Sequence, residues 1–115
     1  MESADEELRQ ALGIALREVR LRNHLSILEL SQRVSGRSYL GAVERAEKLP
    51  TVGKVDEISR SMGMHPLALL TLAYLRIEQN TPEEMMARIK SDLEAIELWG
   101  PWGFGSEAVA SDSED

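Results

Sequence analysis

The 115-residue sequence predicts an all-α fold, five core helices followed by a C-terminal helix and a flexible acidic tail. Three observations carry this expectation. Apolar residues recur at steps of three and four along most of the chain, the spacing that aligns side chains on one helical face. Hydroxyl residues stand before a first-turn proline, or three positions ahead of a glutamate, at several points where such a stripe begins. No stretch shows the period-two alternation of a half-buried strand.

Leu8, Leu12, Leu16 and Val19 set a first helix from about Asp5 to Arg22, ending near Asn23 and His24. Ser26 and Glu29 form a capping-box pair, each able to satisfy an orphan amide of a second helix that starts at Ile27 and runs to about Val34. The stretch Ser35-Gly36-Arg37-Ser38 makes a short turn, and Leu40 and Val43 lie three apart on a third helix starting near Ser38. Pro50 halts the chain, Thr51 caps, and Val52, Val55, Ile58 and Met62 form the stripe of a fourth helix, which Gly63-Met64-His65-Pro66 breaks.

The fifth helix, Pro66 to about Gln79, has proline where a missing amide costs nothing. Its Leu67, Leu69, Leu70, Leu72, Ala73, Leu75 and Ile77 cover more than one face, so a second surface must bury the remainder. Thr81-Pro82-Glu83-Glu84 opens a sixth helix with Met86, Ile89, Leu93 and Ile96 in a three-and-four pattern. The ending "WGPWGFGSEAVASDSED" is glycine-rich and then acidic, which predicts mostly irregular structure. The divisions are 5–79 for the core domain, 81–98 for a helix that packs or dimerises, and 99–115 for the aromatic segment and tail.

Composition narrows the function. Cysteine is absent, which removes disulfides and thiolate chemistry together and fits a reducing cytoplasm. The N-terminus is acidic rather than a targeting signal, and the longest apolar run, "PLALLTLAYL", is too short to span a bilayer. There is no glycine-rich phosphate loop, no histidine pair at metal spacing and no nucleophile beside a base, so neither catalysis nor a metal or cofactor is expected. The net charge of −7 is unevenly placed: residues 1–10 carry −3 and residues 81–115 carry −7. Residues 11–50 carry +3, from Arg17, Arg20, Arg22, Arg33, Arg37, Arg45 and Lys48 against Glu18, Glu29, Glu44 and Glu47.

Short helices near 27–34 and 38–46, joined by a tight turn and braced on both sides, suit a helix-turn-helix. The text "LGIALREVRLRNHLSILELSQRV" followed by "RSYLGAVERAEKLPTVGKVDEISRSMGMHPLALL" resembles the phage repressor and Cro type of regulator, the xenobiotic-response-element family, over residues 12 to about 72. The resemblance implies a five-helix lambda-repressor-like domain, cytoplasmic, binding double-stranded DNA as a homodimer and regulating transcription, as a repressor. It places Arg37, Ser38, Tyr39 and Ala42 at base edges, Arg37 by bidentate donation to guanine, worth roughly 1–3 kcal/mol of discrimination. Arg45 and Lys48 match phosphate-contacting positions, and Ser26 stands at a helix start whose amides donate to anions. Arg20 and Glu44 match a structural ion pair between the first and third helices.

The chain departs from that pattern in three places. It is one residue shorter between Leu30 and Glu44, with its turn glycine at Gly36; Ile27 replaces a common phosphate-binding glutamine; and Gly41 interrupts the third helix. These leave a second reading, a protein-interaction module on a helix-turn-helix scaffold with weak or lost DNA binding. Leu72, Leu75, Met86, Ile89, Leu93 and Ile96 are the expected dimer or partner surface. Trp99, Trp102 and Phe104 either fold back as a lid over apolar surface or dock on a second subunit or another protein.

Overall fold

The computed structural model describes residues 3–34 and 39–97, with the backbone of residues 99–100 and 103–104. The chain divides into two compact units, Met1–Gln79 and Asn80–Asp115.

The first unit is an all-α helix-turn-helix domain of five helices, α1 (Ala4–Arg22), α2 (Ile27–Ser31), α3 (Tyr39–Glu44), α4 (Val52–Ser61) and α5 (Pro66–Glu78). Side-chain caps fix the starts of four: Ser3 accepts from the Glu6 amide, Ser26 from Glu29, Thr51 from Lys54, and the His65 ring from Leu67. Each satisfies an amide that the first helical turn leaves without a partner. α2 stops at Ser31 instead of running to Val34, because the chain tightens there and the Arg33 amide bonds the Leu30 carbonyl at 2.9 Å.

α1 lies against α5 and α3, α4 against α5, and α2 against α3. Leu12, Leu16, Leu30, Leu40, Ile58 and Leu69 meet in the centre with almost no surface exposed. Burial on this scale gives about 1.5–3 kcal/mol per side chain. That matters most for α2 and α3, which are far too short to hold helical structure alone.

Three helices end in the same hydrogen-bond pattern, a left-handed residue whose amide reaches back three positions while the next amide reaches back five. After α1, His24 (φ 58°) bonds Leu21 and Leu25 bonds Arg20; after α4, Gly63 (φ 72°) bonds Arg60 and Met64 bonds Ser59. After α3 the left-handed residue is Ala46 (φ 64°), which bonds Val43, while Glu47 bonds Ala42. Only glycine takes this conformation without penalty, so Ala46 carries strain that Gly63 avoids.

α3 is fastened along α1 at three points. Gly13 lets the helices touch, since a side-chain carbon there would come within 2.6 Å of the Val43 carbonyl oxygen. Arg9 donates through Nε to the Ala46 carbonyl at 3.1 Å. Arg20 donates to both carboxylate oxygens of Glu44, at 2.7 and 3.0 Å, and to the Leu25 carbonyl at 2.8 Å. The two charged side chains are only 11% and 10% exposed. The hydrogen bonds that Arg20 donates to Glu44 raise the already high pKa of its guanidinium despite its burial.

The second unit opens with α6 (Pro82–Ala95), where Thr81 and Glu84 exchange both bonds of a capping box. Beyond it, β1 (Trp99–Gly100) and β2 (Gly103–Phe104) pair antiparallel, Trp99 opposite Phe104 and Gly100 opposite Gly103. The pair gives four residues of regular backbone to a segment expected to be mostly irregular. Two-residue strands are too short to leave an alternation in the sequence.

Arg20→Ala is expected to cost about 3–5 kcal/mol in urea unfolding, since it strands the Glu44 carboxylate in a nearly dry site. Replacing Arg20 and Glu44 together by methionine and leucine should recover most of that loss. Ala46→Gly is expected to stabilise by about 1 kcal/mol, because the backbone already has the left-handed geometry. An unchanged or lower midpoint would show that the cap is unstrained.

Candidate nucleic-acid interface

The candidate interface begins at α2, where the sequence put a phosphate contact at Ser26. Ser26 Oγ accepts from the Glu29 amide at 3.0 Å, and a Glu29 carboxylate oxygen accepts from the Ser26 amide at 2.8 Å. That backbone bond, followed by the Ser26 hydroxyl, holds the Glu29 carboxyl below its usual range. The site an incoming anion would use is therefore partly taken by the protein's own carboxylate.

α3 then divides into two sides. Tyr39, Leu40, Ala42 and Val43 take its inward half, and Gly41 with Arg45, just past the helix end, takes the outward half. Ala42, expected at a base edge, is instead 6% exposed and packed inward. Tyr39 is half-buried against the core, with Lys54 Nζ 5.6 Å from its ring centroid. Arg37 and Ser38 lie outside the described residues.

The basic side chains occupy both ends of α3. Lys54, from α4, stands by Tyr39 at its start and also bonds Glu57 at 3.1 Å. Arg45 and Lys48 follow its end and are exposed. Arg45 is engaged: its Nε and Nη2 reach the two carboxylate oxygens of Glu47 at 3.0 and 3.2 Å. Hydrogen bonding shifts both groups toward their charged forms, raising the Arg45 pKa and lowering that of Glu47. Lys54 escaped the sequence reading because its contact with Tyr39 joins two helices; the visible signal was a lysine three residues after the Thr51 cap.

The expected dimer or partner residues remain largely open. On α5, Leu72 is exposed and Leu75 half-buried. On α6, Met86, Ile89 and Ile96 are exposed, at 51%, 43% and 61%, with Leu93 half-buried. Trp99 and Phe104 contribute backbone to the strand pair, while their side chains and Trp102 lie outside the described residues.

No protein-family model matches the chain, and no curated protein matches it. Among solved structures it is similar to the clp gene regulator ClgR from Corynebacterium glutamicum, at 28% identity and a TM-score of 0.57. The match covers 78% of this chain and 94% of that one, so the likeness extends beyond the helix-turn-helix to most of the chain.

Proposed function

We propose that this chain is a transcriptional regulator of the phage repressor and Cro type, binding duplex DNA through α2 and α3 as a homodimer and acting as a repressor at a near-palindromic operator. The observation that carries the reading is the mounting of α3. A six-residue helix is tied to α1 by a buried ion pair, with Lys54 at its start and Arg45 and Lys48 at its end. The similarity to a gene regulator supports the same reading.

In this mechanism Lys48, Arg45 and Lys54 meet phosphates and set the register, since such contacts carry no sequence information of their own. Arg37 and Ser38, immediately before α3, read base edges, with Arg37 donating to guanine. The exposed stripe Met86, Ile89 and Ile96 on α6 joins two copies. A second reading, a protein-interaction module, is favoured by the inward placement of Tyr39 and Ala42, which thins the reading surface of α3.

Selection of genomic fragments on the purified protein separates the two. The DNA reading expects a near-palindromic motif with half-sites about 34 Å apart. Arg37→Ala should lose the preference at its position, at roughly 1–3 kcal/mol, whereas Lys48→Ala should weaken all sequences alike and lower the salt slope by about one. Tyr39→Ala is a poorer probe, because it would also remove packing. Failure to enrich any motif at moderate salt would overturn the reading in favour of a protein partner.

For assembly, sedimentation should show a dimer that Ile89→Glu converts to a monomer. A wild-type monomer throughout the micromolar range would remove the α6 surface from the scheme.

A further inference from the structure

Arg45 stands where a phosphate contact is needed, yet the structure gives it an internal partner. Three features build that partnership. Gly41 leaves a notch on the outward side of α3 that the guanidinium fills: a side-chain carbon on Gly41 would lie 2.9 Å from Arg45 Nη1. The left-handed Ala46 turns the chain so that residues 45 and 47 come together on the same side. The turn is held from both directions, by the Glu47 amide on the Ala42 carbonyl at 2.9 Å and by Arg9 on the Ala46 carbonyl. The Glu47 carboxylate therefore meets both arms of the Arg45 fork, the geometry by which arginine binds a phosphate.

We propose that Glu47 is an internal phosphate surrogate that restrains DNA binding: it occupies the Arg45 guanidinium in the free protein, and a DNA phosphate must displace it. This rests on the DNA-binding reading above. The restraint is sequence-independent, so it lowers affinity for all duplexes and leaves base preference untouched. Both side chains are mostly solvent-exposed, which keeps the effect small and sensitive to salt.

The test uses the full chain and a labelled short duplex of random sequence, with binding followed by fluorescence anisotropy. Glu47→Gln is expected to bind about two- to fivefold more tightly at low salt, the range exposed ion pairs support, with the gain shrinking as salt rises. In an Arg45→Ala background the same substitution should give no gain. A gain that persists there would show Glu47 acting on the phosphate by direct repulsion and would overturn the surrogate role, as would unchanged affinity in Glu47→Gln while the wild type binds. If neither protein binds any duplex, the DNA reading itself fails and the restraint goes with it. Carboxyl NMR checks the pair without DNA. Glu47 should titrate at lower pH in the wild type than in Arg45→Ala, and identical titrations would overturn the pairing.

Discussion

The Arg20–Glu44 contact is the constraint on which the candidate interface depends. A guanidinium and a carboxylate taken out of water lose several kcal/mol of hydration each, and geometry alone decides whether the pair recovers it. Here the fork meets both carboxylate oxygens, and a remaining donor is spent on the Leu25 carbonyl in the turn between α1 and α2. One side chain thus joins α1, the turn and α3. Gly13 and Arg9 extend the same line of attachment, and residues 9, 13 and 20 lie at spacings of four and seven along one face of α1. α3 gets its position from this row of contacts and its helicity from the leucines beneath it.

The same framework brings negative charge to the positive surface. Glu29 sits at the start of α2 and Glu47 at the end of α3, each bonded to a group that would otherwise face an anion. Residues 11–50 keep only a small positive excess within an acidic chain. Non-specific affinity grows with each phosphate neutralised, so a surface whose cations are partly engaged gives up a sequence-independent share of binding. Under the proposed function, discrimination would then rest more heavily on base contacts. The surplus of acid lies outside that segment, in residues 1–10 and 81–115.

Most of the fold was legible in the sequence because caps and periodicity are local signals. Ser26 with Glu29, Thr81 with Glu84, and the prolines at 66 and 82 each mark a helix start within a few residues of the feature they create. The left-handed helix ends were less visible, since His24 and Ala46 adopt a conformation that sequence assigns to glycine or asparagine. Gly13 gave no signal at all: its necessity comes from a carbonyl on another helix. The site divides in the same way. The resemblance named candidate residues by position, but whether each described one faces out or in depends on how α3 is rotated against α1. That rotation placed Ala42 inside and gave Gly41 and Arg45 the outward side.

The attachment of α3 also bears on the shortened connection that precedes it. The chain between Leu30 and Glu44 is one residue shorter than the repressor pattern it resembles. A helix tied at Arg9, Gly13 and Arg20 cannot follow a missing residue without breaking a buried ion pair, which costs more than losing a turn of a weak helix. α2 ends at Ser31, and the Arg33 amide turns back to the Leu30 carbonyl. In the proposed DNA-binding role, α3 would keep its mounting on α1 while α2 would offer little to a phosphate, with Ile27 at its start and Glu29 closing its cap. In the proposed DNA-binding role, register would rest on the cations around α3, and the proposed restraint of Glu47 on Arg45 would act on one of them.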